Sequence, residues 1–349
     1  MSINMMKQIF WLLSTALLVT SFSPEIKCPK ASHPLLNKLW VSKNPSSPTD
    51  DASRLTLLEN AKQFDEKIAK GDRTGTYAPA GWSNRLGTVL TPATADIYTA
   101  DRQFIWNNID VGGKMAVVKL GNGDLWVHSA VEIDDALKET LSKLGPVRYV
   151  MAPNYEHLKY AAKWHSEYPD AYMWACPGLM ERLPDIKWAG EIPSGIRGED
   201  GVFLENCWDL EELQALHLDV EANPFTGKPF FNEVIFYHKP SKALIVTDVF
   251  WNYPNSDGVP NSHLGGEEWE LAPSVESIPF GSKLWKFGMD KVYLPFYKKF
   301  MINDERKYSE VSKIILDEWE IETLIPAHGD VVRGKEIVRE VLKSHLRRG

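Results

Sequence analysis

The chain has 349 residues, 44% of them hydrophobic and 25% charged, a balance that excludes a disordered chain and a membrane bundle and supplies enough apolar side chains for a sizeable core. The formal net charge is −8 with no long basic run, which sets aside nucleic-acid partners, since these need a cationic face. Cys28, Cys176 and Cys207 are an odd set without C-x-x-C or His-linked spacing, so they read as packing residues or free thiols.

Residues 1–21 have signal-peptide architecture: Lys7 precedes the apolar run Ile9–Val19, which is short for a membrane span. The mature protein is therefore expected to carry no span. The junction VTSFSPE (Val19–Glu25) resembles the bipartite plastid presequences of algae with secondary red plastids, with Ser21 before Phe22 and Pro24 just after. Lys27–Lys43 is basic and contains no acidic residue, as transit peptides are. The resemblance implies delivery to the plastid, with secretion or an endomembrane lumen as the alternative; the chain contains no N-x-S/T sequon with an allowed middle residue, which disfavours a glycosylated secreted product. Residues 22–53 are then a transit-like segment and a Pro/Ser/Asp linker, 54–80 an N-terminal helical extension whose helix is expected over Ser53–Lys70, and 81–349 one folded domain.

Within that domain strands and helices alternate. Met115–Leu120 and Asp124–Ser129 flank Gly121-Asn122-Gly123, a hairpin signal because Asn-Gly accepts positive φ at little cost. A helix is predicted over Asp134–Gly145, capped by Asp, lined by Leu137, Leu141 and Leu144 and stopped by Gly145. Strand Val147–Ala152, helix Leu158–Glu167 and strand Ala171–Cys176 follow. A second hairpin pairs Glu233–Lys239 with Ala243–Val249; helix Arg306–Trp319, strand Thr323–His328 and helix Lys335–Leu346 close the chain. Two hairpin-plus-βα halves imply an α/β fold, a four-layer αββα sandwich of two packed sheets with helices outside.

Polar residues recur where apolar strands end: Asn154, Glu156 and His157 after the first βα strand, Asp248 after the second hairpin, and His328 after the last strand. Strand ends are where α/β proteins build sites. Hairpin, helix, polar strand end, second hairpin ending in Asp, then IPAHG resembles the metallo-β-lactamase-like superfamily of metallo-hydrolases and oxidoreductases over about Gly87–Arg333. GKMAVVKL, LWVHSAVEI, GPVRYVMAPNYEH and ALIVTDVFWN further resemble a family of unknown function within it, from photosynthetic organisms.

Laid on this chain, the superfamily's H-x-H-x-D-H motif is degenerate. Ala152, Asn154 and Pro229 fall where one metal's ligands belong, while the resemblance places Glu156, His157, Asp248 and His328 around a second metal. It implies one divalent ion, Zn, Fe or Mn given an N/O donor set without thiolate, or no ion at all if the site is dead. The implied activity is single-metal hydrolysis of a small ester, thioester, lactone or amide, with a mononuclear-iron oxidoreductase behind it. The competing expectation is a non-catalytic binding or scaffold protein with a protein partner.

Other readings of the same residues stand beside these. Glu156 taken alone is better read as a cap on the helix near Leu158. Asn154 is a corner residue, with a substrate-side contact as the alternative. His128 and His217 read as core or strand histidines. His263 lies in the Gly/Pro-bearing loop Asn252–Glu270, a lid or an insertion. No nucleophile elbow or phosphate loop is present, so no catalytic residue is assigned.

Overall fold

The computed structural model describes Ser83 and residues 89–106, 108–198, 204–253 and 280–347. The targeting segment, the Ser53–Lys70 helix, Cys28, His263 and most of the Asn252–Glu270 loop lie outside the described residues.

The first part of the chain gives β1 (Thr91–Pro92), β2 (Ile97–Arg102), β3 (Ile105–Trp106), β4 (Ile109–Asp110), β5 (Gly113–Lys119) and β6 (Leu125–His128). Helix α1 (Asp135–Leu144), β7 (Val147–Ala152), helix α2 (Ala161–Glu167), β8 (Tyr172–Ala175) and β9 (Trp188–Glu191) follow. These strands form a seven-stranded sheet in the order β1-β2-β5-β6-β7-β8-β9, with β3 and β4 as a separate hairpin. The second part gives β10 (Arg197–Gly198), β11 (Leu213–His217), β12 (Val234–His238), β13 (Ala243–Val246), β14 (Thr323–Pro326) and β15 (Val332–Arg333), a six-stranded sheet in chain order. Its helices are α3 (Phe280–Gly288), α4 (Glu305–Lys313) and α5 (Lys335–Leu346).

Alternation along each strand divides the core into three layers. Val118, Trp126, Met151 and Trp174 point inward to meet Ala215, Phe236, Ile245 and Ile325 of the other sheet. Val117, Val127 and Val150 point outward under Leu137 and Leu141 of α1 and Trp164 of α2. On the far side Ile235, Leu244 and Leu324 lie under Val311 of α4 and Val338 and Leu342 of α5. The fold is thus the expected αββα sandwich. Strands buried on both faces explain the near-continuous apolar runs MAVVK and ALIV.

Local chemistry sets the boundaries. Asp134 caps α1 by accepting from the Leu137 N–H at 2.9 Å. The β5–β6 turn closes with Leu120 N–H donating to Asp124 C=O, and Gly123 at φ +90° takes the left-handed position. Three boundaries differ most from expectation. β13 ends at Val246 instead of Val249. α2 starts at Ala161 instead of Leu158, because a separate turn held by Asn154 occupies the preceding residues. α4 continues as a wider π turn over Ile314–Glu318.

The sequence pattern gives no element over 280–301, yet α3 runs on through π turns at Met289–Tyr293 and Tyr297–Met301. Pro295 lacks the N–H that would close a regular turn, and a widened turn accommodates it.

Candidate metal centre

Strand register brings two of the polar ends together. β13 and β14 are parallel with Val246 opposite Pro326, so Asp248 and His328 each stand two residues beyond a paired position. The backbone after His328 then runs against residue 252: Asn252 N–H donates to His328 C=O at 3.0 Å and Asp330 N–H to Asn252 C=O at 2.8 Å. Gly329, at φ +85°, permits this approach; a Cβ there would lie 2.0 Å from the Asn252 carbonyl oxygen.

The third end comes from the other sheet. After β7 the chain turns at Asn154, whose buried carboxamide uses every hydrogen-bonding site it has. Its Oδ1 accepts from the Glu156 and His157 N–H groups at 3.0 and 2.8 Å. Its Nδ2 donates to Thr247 Oγ1 at 2.9 Å and to Asp248 Oδ2 at 2.6 Å. One side chain therefore both shapes the corner carrying His157 and clamps Asp248 across the sheets. Tyr155 N–H to Phe231 C=O and Val234 N–H to Pro153 C=O stitch the same corner to the second sheet.

His157, Asp248 and His328 converge, with ligating atoms all within 4.8 Å of one another. The two imidazole Nε2 atoms are 3.2 Å apart. His157 Nε2 lies 3.2 Å from Asp248 Oδ2, and His328 Nε2 lies 3.5 Å from Oδ1. The outer nitrogens fix the rings. His328 Nδ1 faces the Gly112 carbonyl oxygen at 2.7 Å, so it carries the proton and leaves Nε2 with a lone pair. His157 Nδ1 pairs with Ser129 Oγ at 2.7 Å, a hydroxyl able to accept from it. In neutral rings donating outward, two nitrogen lone pairs and a carboxylate face one point, an arrangement that repels itself unless a cation sits among them.

Burial pushes the Asp248 carboxyl up, but the neighbouring His157 and His328 outweigh it and hold the group far below the usual carboxylate range. Behind it Glu233, buried, accepts from Thr247 N–H at 2.6 Å and from Asp248 and Val249 N–H at 2.8 and 2.9 Å. Burial and then the Asp248 charge outweigh those donors and push its carboxyl up to about 7.

Of the four ligands the resemblance implies, three meet. Glu156 does not join them: its side chain is exposed, and partial burial with the Asp248 charge raises its carboxyl. It is not a helix cap either, since α2 has Tyr160 at its N-cap position and Asn154 holds the turn. Asn154 is a positioning residue and not a substrate contact, because no polar atom of its side chain is left over. Ala152 and Pro229 have no side-chain donor atom and the Asn154 carboxamide is fully engaged, so the other metal's positions offer no free donor.

His128 is buried between Trp126 and Phe236, its Nε2 without a hydrogen-bond partner among the described residues, and burial lowers its pKa well below the ordinary value. His217 is a strand residue, as expected. The sequence reading missed Ser129, Glu233 and the Gly112 carbonyl. Ser129 and Glu233 lack a local signal, being one polar residue each at a strand end, and a backbone carbonyl has none.

A family model described as a domain of unknown function (DUF4336) matches residues 94–260, a span that holds His157 and Asp248 and ends before His328. No curated protein is significantly similar to the chain in sequence. The chain is similar in structure to the metallo-β-lactamase from Hirschia baltica, at 10% identity and a TM-score of 0.45 over 74% of this chain and 98% of that one. It is similar to the metallo-β-lactamase FIM-1 from Pseudomonas aeruginosa in its mono-zinc form, at 9% identity and TM-score 0.41, covering 74% of this chain and 95% of that one. The metal-soaked Flv1 flavodiiron core from Synechocystis sp. is similar at 14% identity and TM-score 0.45, with 74% of this chain and 60% of that one covered.

Proposed function

We propose that this protein is a hydrolase of a small ester, thioester, lactone or amide that works with one divalent metal, Zn, Fe or Mn, held by His157, Asp248 and His328. The observation that carries the reading is the convergence of two imidazole Nε2 atoms and one carboxylate, with ligating atoms all within 4.8 Å of one another. Three protein ligands leave coordination positions open, as catalytic sites require. Such an ion supplies Lewis acidity, polarising a carbonyl and acidifying water. The chain's own part is orientation. Ser129 and the Gly112 carbonyl hold the imidazoles, and Asn154 and Glu233 hold Asp248.

A second reading, a mononuclear-iron oxidative enzyme, is favoured by the same set being two histidines and one carboxylate. Elemental analysis of the anaerobically purified protein tests both. Stoichiometric zinc or manganese leaves only the hydrolase, stoichiometric iron fits either and turnover of a model ester then decides, and both expect the metal to vanish in Asp248→Ala and His328→Ala. Metal-free protein whose melting temperature ignores added Zn or Mn sinks both readings and leaves the scaffold role. We also propose membership of the photosynthetic family and plastid delivery through residues 1–53, which rest on the quoted phrases and the VTSFSPE junction; sequencing the mature N-terminus from its native source tests the latter.

A further inference from the structure

Large apolar side chains that stay in solvent are concentrated in one place. Among the described residues seven are exposed, and Phe280, Phe287, Val292 and Phe300 of these lie on the helix 280–301, at 67%, 58%, 42% and 51% exposure. Two more flank it. Ile105 belongs to the β3–β4 hairpin, against which the start of the helix packs, with the Ser282 hydroxyl donating to the Asp110 carbonyl at 2.8 Å. Phe225 sits on the turn that follows Ala222, whose N–H donates to Met301 C=O at 2.8 Å.

The inner side of the helix is fixed: Met289, Tyr293 and Met301 are buried, Trp285 donates to Tyr253 Oη at 2.9 Å, and Asp290 accepts from Trp251 Nε1 at 2.9 Å. Among the described residues nothing covers the outer side. It also has the wrong charge for this protein. The segment 280–301 carries five lysines and one aspartate in a chain of net charge −8. Lys286 is paired with Asp290, while Lys291 and Lys299 are exposed among the apolar residues.

We propose that the helix 280–301 docks this protein on an anionic lipid bilayer, lying in the interface with its phenylalanines inserted and its lysines at the headgroups. A basic helix with exposed aromatic residues has the composition of an interfacial anchor. An apolar patch of this kind on a soluble surface marks an interaction site. Charge selects the occupant: a two-fold dimer through this face would set lysines against lysines, whereas an anionic surface attracts them. No described helix is long and apolar enough to cross a membrane, so the contact is peripheral. Neighbouring Tyr253 has its ring 6.2 Å from that of His328, so docking would hold the metal centre close to the lipid surface.

Hydrogen exchange of the full chain with vesicles reads this face separately from the N-terminal segment. Phosphatidylcholine vesicles containing phosphatidylglycerol are expected to protect peptides over 280–301, and phosphatidylcholine alone to do so weakly. The vesicle affinity read from this protection should fall at least about tenfold in Phe280→Ser/Phe287→Ser/Phe300→Ser. The same fall, about tenfold, is expected in Lys291→Glu/Lys299→Glu, whose exposed positions leave folding intact. Chelation of metal should leave the protection unchanged, whatever the fate of the metal reading. No protection over 280–301, equal protection by neutral vesicles, or protection that grows with protein concentration alone would overturn the proposal, the last pointing to a protein partner in the form of a second copy.

Discussion

His217 and His328 end apolar strands of the same sheet, in the similar phrases LQALH and LIPAH, and they carry opposite tautomers. His217 Nδ1 accepts from the Gly195 N–H at 3.0 Å, and its Nε2 pairs at 3.0 Å with Asn232 Oδ1, an acceptor, so Nε2 must donate. No lone pair remains. His328 Nδ1 instead meets a carbonyl, Gly112, which places the proton there and frees Nε2 toward Asp248. Whether an imidazole is a ligand or a strut depends on whether its first partner is an N–H or a C=O, and that partner comes from a distant loop.

The comparison is most sharply broken by deletion. Asp248→Ala and His328→Ala should take bound metal from about one ion per chain to none detectable, while His217→Ala keeps the metal and loses about 2–3 kcal/mol of stability through two lost hydrogen bonds and a cavity. Elemental analysis beside denaturant unfolding reads both. Metal retained in His328→Ala would dissolve the distinction.

Gly329→Ala attacks the path that points His328 at Gly112. A Cβ 2.0 Å from the Asn252 oxygen at positive φ forces the backbones apart. A loss of about 3–5 kcal/mol, with weakened metal binding, is expected in thermal melts with and without added metal.

On the His217 side the device is Glu221. Its Oε1 accepts from the Phe231 and Asn232 N–H groups, so it fixes the residue that fixes His217. Burial, outweighing those hydrogen bonds, pushes its carboxyl up to about 7 from an ordinary 4.5. The folded state then holds a proton that the unfolded chain releases. The stabilisation is fully present below about pH 4.5 and is lost as pH rises through about 7, a change of about 3 kcal/mol. Glu221→Gln should flatten that part of the stability–pH profile, and an unaltered profile would count against a buried neutral carboxyl.

The smallest effect is expected at Ser129. Ser129→Ala removes the partner of His157 Nδ1 and should weaken metal affinity about tenfold with the fold intact, as loss of an outer-shell partner does, measured by competition with a chromogenic chelator. An unchanged affinity would mean that the Asn154 corner orients His157 by itself.

The sequence by itself determined the layers, their central strands and the helices that cover them, but not the short edge strands β1, β9, β10 and β15. Apolar runs buried on both faces can only be interior strands, Asn122-Gly123 favours a turn, and Asp134 caps a helix wherever it is placed, because these are local preferences of backbone and side chain. It also marked His157, Asp248 and His328 as polar strand ends. What it could not separate were residues of equal local character: Glu156 from Glu233, or His217 from His328. The helix 280–301 stayed hidden for a related reason, since Gly288, Pro295 and π turns break the 3.6-residue period by which an amphipathic helix is read. Only the tertiary structure decided which nitrogen keeps a lone pair and which carboxylate faces it. Those outcomes depend on hydrogen bonds between residues as far apart as Gly112 and His328, and only the packing of two sheets brings such residues within reach.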